Sequence, residues 1–200
     1  VAPKVFKELG AEIIVLSNQP DGTNINKNCG STDIKLLQKE VIKNKADFGI
    51  AFDGDGDRLI FVDENAKELN GDDILYVLAR DKFENQITLG SKGIVGTIMT
   101  NKGLEISLTK MGVDLIRTDV GDRHVLQKLE ELNWDLGGEQ SGHIISLDSS
   151  NSGDAIIAAI KFLEAYVCSD LSLKELLKPL VKYPQILVNL KTDNPEKILK

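Results

Sequence analysis

Asp47-Phe48-Gly49-Ile50-Ala51-Phe52-Asp53-Gly54-Asp55-Gly56-Asp57-Arg58-Leu59-Ile60-Phe61-Val62-Asp63 is the stretch on which the fold turns. Two apolar runs of strand length, 47–52 and 59–63, flank a tight loop in which three aspartates alternate with glycines and an arginine follows. The glycines let a short backbone turn all three carboxylates toward one point, where their mutual repulsion demands a cation. Hard oxygen ligands select magnesium or calcium. The spacing of Asp53, Asp55 and Asp57, with Ile60 and Glu64 further on, also fits an EF-hand. Against that stand Arg58, where the EF-hand needs glycine for its sharp turn, and flanks that are strand-like instead of helical. A merely solvated acidic turn is the third reading, and packing three acids between apolar strands without a ligand is costly. A magnesium loop followed directly by arginine suits phosphoryl transfer: the metal withdraws charge while the guanidinium grips phosphoryl oxygens.

Outward from this loop, secondary structure alternates. Val1–Leu9 carries Val5, Phe6 and Leu9 at helical spacing before Gly10, and the apolar run Ala11–Ser17 predicts a strand buried on both faces. A long polar loop, 18–31, leads to a helix capped by Thr32 or Asp33 with Ile34, Leu37, Val41 and Ile42 on one face. After Asn70-Gly71-Asp72 the pattern restarts. Helices are predicted at 73–83, 104–111, 123–132 and 154–167, and strands at 93–99, 114–119, 134–136, 144–147 and 186–190. This order predicts the α/β class: two successive three-layer α/β/α domains, each with a mixed, mostly parallel sheet of about four strands. The expected division is 1–70 for the metal-loop domain, 71–180 for a second domain, and 181–200 for a linker and the start of a further one.

Composition narrows the function. The 200 residues are 42% hydrophobic and 28% charged, with 17 glycines and five prolines, which excludes disorder and collagen-like repeats. A net charge of -7 with four arginines argues against a nucleic-acid partner. No apolar stretch approaches membrane-spanning length, and two cysteines with two histidines show no zinc spacing. Cys29 and Cys168 read as bystanders in a reducing, cytoplasmic compartment. The chain starts at Val1, inside a helix, and is read as a fragment of a longer protein.

A second loop, Gly137-Gly138-Glu139-Gln140-Ser141-Gly142-His143, offers a carboxylate, an amide, a hydroxyl and an imidazole on a backbone that a ligand can approach closely. Glu139 and Ser141 are candidates for sugar hydroxyls and His143 for a general acid or base; a plain hairpin turn is the alternative. A serine nucleophile of the Gly-x-Ser-x-Gly type is not matched. Val120-Gly121-Asp122-Arg123-His124 could present backbone amides and Arg123 to a ligand, or could simply cap a helix.

Together these motifs resemble the α-D-phosphohexomutase superfamily. Asp53–Arg58 looks like its metal loop and Glu139–His143 like its sugar loop. Pro20-Asp21-Gly22, Asn24-Ile25-Asn26, Cys29-Gly30-Ser31-Thr32, Val120-Gly121-Asp122-Arg123 and Gly138–His143 are similar to the branch that acts on glucosamine phosphates, and Gln140 and Asp122 side with it. The resemblance implies domains two and three of a four-domain cytoplasmic enzyme, with the start of the fourth. It implies interconversion of glucosamine 6-phosphate and glucosamine 1-phosphate through a phosphoserine and a sugar bisphosphate, which also serves as primer. Asp53, Asp55 and Asp57 would hold one Mg2+, Arg58 would contact the phosphoryl group, Glu139, Ser141 and Arg123 would bind substrate, and His143 would transfer a proton. The substrate would be a small phosphosugar, and a homodimer is open for the complete enzyme. No Ala-Ser-His-Asn-like nucleophile segment occurs in these residues, so this chain alone is expected to be inactive. The sequence departs from the family at His124, usually Tyr, and at Ser150-Asn151-Ser152-Gly153-Asp154-Ala155, which leaves Asp154 without an assigned role. The other readings are a phosphomannomutase or phosphoglucomutase, and a non-catalytic binding module for divalent cations or phosphosugars.

Overall fold

In the computed structural model, which describes residues 1–84 and 92–188, the two apolar runs around the acidic loop form a hairpin. Helices α1 (Ala2–Glu8) and α2 (Lys35–Asn44) precede strands β1 (Phe48–Phe52) and β2 (Leu59–Asp63), which pair antiparallel from Phe48↔Asp63 to Phe52↔Leu59. Strand β3 (Glu68–Leu69) adds to β2, again antiparallel. The expectation of a mostly parallel, roughly four-stranded sheet in this first unit is therefore corrected to three antiparallel strands. The reason is connection length: a parallel neighbour needs a crossover of a dozen or more residues, and the turns on either side of β2 are far shorter.

The run 11–17 forms no strand. The Ala11 N–H donates to the Phe6 carbonyl, which closes α1. Ile14 and Val15 are 54% and 41% exposed, and Ile13 packs against the core. An apolar run becomes a strand only where a neighbouring edge completes its hydrogen bonds, and no described strand pairs with this one. In α2 the cap is Ile34, with the Lys35 N–H reaching the Asp33 carboxylate at 3.3 Å. Val41 and Leu37 pack over the bare backbone of Gly49 in β1, while Ile42 turns outward.

The second unit follows as α3 (Gly71–Glu84), β4 (Gly93–Thr97), α4 (Lys102–Lys110), β5 (Asp114–Thr118), α5 (Asp122–Leu132), β6 (Leu136–Gly138), β7 (Ile144–Ser146), α6 (Ala155–Cys168) and α7 (Leu173–Leu177). Its sheet runs β5-β4-β6-β7; β4 is parallel to β5 and β6, and β7 is antiparallel, so here the mixed, mostly parallel expectation matches. Every residue of β4 is buried, as a central strand covered on both faces requires. Strand β6 starts later than expected and takes Gly137 and Gly138 into its ladder. Helix α7 was not anticipated, although Ser172-x-x-Glu175 forms a capping box there. The expected strand at 186–190 is absent over 186–188, and residues 189 and 190 lie outside the described residues.

One core joins the two units. Leu59 and Phe61 of β2 pack with Ile74 of α3 and Phe162 of α6, the Phe61 and Phe162 rings having centroids 4.3 Å apart. Phe48 meets Tyr166 edge-on at 5.2 Å. Around this core, buried Lys82 of α3 pairs with Asp135 and Asp148. Burial alone would raise the Asp148 carboxyl, but Lys161, Ser146 and Lys82 hold it well below the usual carboxylate range. No described helix is long and apolar enough to cross a membrane.

Candidate functional site

The three aspartates converge: each of Asp53, Asp55 and Asp57 offers a carboxylate oxygen, and these lie within 4.8 Å of one another. The loop closes on itself through the Asp53 N–H, which donates to the Arg58 carbonyl at 3.3 Å, and the Arg58 N–H, which donates to Asp53 Oδ1 at 3.1 Å. Ile25 of the Asn24-Ile25-Asn26 motif fills the space that a side chain at Gly54 would occupy. From the other side the first N–H of α6, at Ala155, donates to the Gly56 carbonyl at 3.0 Å, so the acidic loop sits at the positive end of that helix. Asp154 caps α6, accepting from the Ile156 and Ile157 N–H groups at 2.9 and 3.0 Å, a role the sequence left unassigned. Glu64 is exposed and stands outside the converging group, so the EF-hand spacing is not realised.

The residues fit a small hard cation. Asp57 Oδ1 is buried with no hydrogen-bond partner among the described residues, an expensive arrangement for a carboxylate oxygen unless an ion takes it. The donor set is oxygen alone, as magnesium prefers.

The glycine-rich loop docks directly onto the metal loop. The Leu59 N–H donates to the Gly142 carbonyl at 3.1 Å, and Arg58 and His143 form an isolated antiparallel bridge. Gly142 has φ +95, and a methyl there would stand 2.0 Å from the Leu59 carbonyl oxygen, so glycine is required on both counts. His143, 5% exposed, places Nδ1 3.0 Å from Asp57 Oδ2. A carboxylate only accepts, so Nδ1 carries the proton and the imidazole orients Asp57. Its Nε2 lies against the backbone of Gly153, where a methyl would approach to 2.3 Å.

Between the units lies a cleft of about 480 Å³ lined on one side by Ser31, Thr32, Arg58, Ile60 and Glu68 and on the other by Asn70, Thr97, Met99, Val120 and Glu139–Ser141. Thr97 ends β4 and Val120 follows β5, so the cleft opens at the carboxyl ends of the parallel strands, where open α/β sheets place ligands. Glu139 Oε1 accepts the Gly121 N–H at 2.9 Å, and Ser141 Oγ lies 3.5 Å from Oε2. The Val120-Gly121-Asp122 turn and the glycine-rich loop, 18 residues apart, thus meet through one hydrogen bond. Ser31 Oγ, at the cleft wall, is also buried with no partner among the described residues.

Of the residues expected from sequence, Asp53, Asp55 and Asp57 come together, and Arg58, Glu139 and Ser141 line the cleft. His143 lies behind the cleft wall, and Arg123 is exposed in the first turn of α5, outside the lining. Asn70, Thr97 and Met99 were not singled out. Thr97 and Met99, at the carboxyl end of β4, carry one signal, a strand-end position in a parallel sheet, whereas Asn70, between antiparallel β3 and α3, carries none of that kind.

Residues 1–68 match the α/β/α domain II, and residues 70–183 the α/β/α domain III, of the phosphoglucomutase/phosphomannomutase family. Among curated relatives, phosphoglucosamine mutase of Aliivibrio fischeri is 52% identical over 191 residues, 96% of this chain and 42% of the relative. That of Caldicellulosiruptor saccharolyticus is 50% identical over 199 residues, 100% of this chain and 44% of the relative. The chain thus spans less than half the length of these relatives. A phosphoglucomutase/phosphomannomutase family protein from Burkholderia thailandensis superposes with a TM-score of 0.79 at 24% identity, covering 90% of this chain and 40% of that one. Aspergillus fumigatus N-acetylphosphoglucosamine mutase, solved with GlcNAc-6P and magnesium, gives a TM-score of 0.67 at 20% identity over 92% of this chain and 47% of that one. These two likenesses carry the fold. The two domain matches cover nearly all the described residues, and this chain belongs to the phosphoglucomutase/phosphomannomutase family.

Proposed function

We propose that this chain is the metal- and sugar-binding middle of a phosphoglucosamine mutase, which interconverts glucosamine 6-phosphate and glucosamine 1-phosphate through a phosphoserine and a sugar bisphosphate. The observation that supports this best is the joining of the two loops: the carboxylate cluster and the sugar loop share the Asp57–His143 contact and the Leu59–Gly142 bond, with a cleft beside them. The relatives named above supply the glucosamine preference.

Asp53, Asp55 and Asp57 would hold one Mg2+, whose charge when bound draws electron density from a phosphoryl group beside it. Arg58, with its side chain partly exposed at the cleft, would grip phosphoryl oxygens. Glu139, fixed by the Gly121 amide, would accept from sugar hydroxyls, with Ser141 alongside. We assign His143 the orientation of Asp57 in place of proton transfer at the sugar, because Nδ1 is engaged and Nε2 is covered. Arg123 would serve only a ligand that extends beyond the cleft lining. We divide the chain at residue 70 into a metal-loop and a sugar-loop domain, with 181–200 leading onward, and we place the enzyme in the cytoplasm.

The test is a coupled assay on a full-length polypeptide carrying residues 1–200, with magnesium and a sugar bisphosphate primer. Turnover of glucosamine phosphate above that of mannose or glucose phosphate is expected; the reverse order would favour the phosphomannomutase or phosphoglucomutase reading. The 200-residue chain alone is expected to be inert. Steady turnover by it, abolished by Asp55→Asn, would place a nucleophile within these residues, with Ser141 the first to replace.

A further inference from the structure

Asp72, in the first turn of α3, is completely buried. Its Oδ2 accepts the Asn101 backbone N–H at 3.0 Å and lies 3.3 Å from the Nε2 of Gln140, while Oδ1 has no partner among the described residues. Burial pushes this carboxyl up, and the Asn101 amide and Lys182 oppose the rise. The carboxyl stands outside the metal cluster and behind the cleft, and nothing in the mutase reading uses it.

Its neighbour Gln140 lines the cleft between Glu139 and Ser141. An amide side chain has a donating end and an accepting end, and which one faces a ligand decides what that ligand must be. Oδ2 of Asp72 already receives a backbone N–H, so it is the accepting oxygen, and the end of Gln140 turned toward it is the NH2. The planar amide then turns Oε1 away from Asp72. Oε1 accepts from no described residue, and Gln140 belongs to the cleft lining, which leaves this oxygen as the acceptor the side chain can offer a ligand there.

The cleft therefore presents an acceptor at this point, on the same wall as Glu139 and across from Glu68, with Arg58 as the cation among its lining residues. An ammonium group donates three hydrogens and satisfies several acceptors at once; a hydroxyl donates one. If the Gln140 amide could turn over, its NH2 would serve a hydroxyl oxygen equally well, and the distinction would fade.

We propose that Asp72 is a positioning residue for sugar selection: it holds the Gln140 amide with its carbonyl oxygen toward the cleft, so that the site prefers a hexose phosphate bearing an ammonium over one bearing a hydroxyl at the same carbon. This rests on the mutase reading above and adds the residue that sets its substrate preference.

The test is the ratio of kcat/KM for glucosamine 6-phosphate to that for glucose 6-phosphate, measured on the full-length enzyme. Gln140→Met, which removes the acceptor, should lower the ratio about tenfold, the scale of one hydrogen bond to a charged donor. Asp72→Ala should lower it by a similar factor, and the double variant should fall no further than Gln140→Met alone, since both remove the same interaction. Asp72→Asn, whose amide oxygen can take the place of Oδ2 and accept both N–H groups, should keep the ratio of the parent. An equal loss of kcat/KM for both sugars in Asp72→Ala would mean a purely structural role and overturn the proposal, as would single-variant effects that multiply in the double. Should Asp72→Ala fail to fold, Gln140→Met and Asp72→Asn decide: an unchanged ratio in the first, or a collapsed ratio in the second, overturns the proposal. A parent enzyme with no turnover of either sugar would overturn the mutase reading and this proposal with it; an active parent whose ratio no variant moves would overturn this proposal alone.

Discussion

Three carboxylates within 4.8 Å repel one another, and at the residue scale that repulsion is the clearest statement this chain makes. Asp53 is tied down by the Arg58 backbone and Asp57 by His143, whereas no bond to a described residue holds Asp55, which is exposed. Magnesium should therefore raise the melting temperature of the chain by mass action, and Asp55→Asn should abolish that gain while leaving the metal-free melting temperature equal or higher, because one charge fewer eases the repulsion. Calorimetry with and without magnesium checks this; equal metal effects in both proteins would remove the loop from consideration as a cation site. Glu139 is the corresponding residue in the sugar loop. Glu139→Gln keeps an oxygen for the Gly121 N–H but gives up the charge offered to sugar hydroxyls. It should reduce kcat/KM of the full-length enzyme by about 1.5–3 kcal/mol, typical of a charge-assisted hydrogen bond. Unchanged kcat/KM would place Glu139 outside the site.

At the scale of elements, the metal loop is held from two directions, by the β6–β7 turn through His143 and by the start of α6 through Ala155. Gly153, just before the Asp154 cap, lies against the imidazole that orients Asp57. Gly153→Ala would bring a methyl to 2.3 Å from Nε2 and force the ring or the loop to shift. This variant should weaken the magnesium-induced rise in melting temperature although every carboxylate is intact. Asp154→Ala, by contrast, removes the helix cap and should lower stability by about 1 kcal/mol in denaturant melts. A full magnesium response in Gly153→Ala would show that the contact with His143 does not transmit to the carboxylates.

For the whole molecule, the interlock of β2 with α3 and α6 makes one core out of two family domains. Phe61 and Phe162, about a hundred residues apart in sequence, pack ring against ring inside it. The chain should therefore unfold in a single transition, with Trp134 fluorescence and far-UV circular dichroism tracing the same curve and the calorimetric enthalpy matching the van't Hoff value. Two separated transitions would mean that each domain keeps its own core. Phe61→Ala should lower stability by about 3–5 kcal/mol without splitting the transition, as a large aromatic removed from a shared core does.

What the sequence determined by itself was local in origin. The alternation of Asp with Gly at 53–57, the parallel unit from 93 to 132, and the helix beginning near Asp154 are set by residue spacing, propensity and turn chemistry within a few positions. Tertiary structure alone decided everything that depends on partners distant in the chain. The run 11–17 has strand composition yet lies unpaired, because a strand needs a neighbouring edge that its own residues cannot supply. The first sheet is antiparallel because short connections on either side of β2 leave no room for a crossover. His143 was legible as a chemical group but not as the partner of Asp57, 86 residues away, and the Asp72–Gln140 contact spans 68 residues with no motif to announce it. Spacing along the chain shows which groups a loop can gather. Which buried group faces which is decided only when two loops are packed against each other and their polar atoms compete for the acceptors and donors available there.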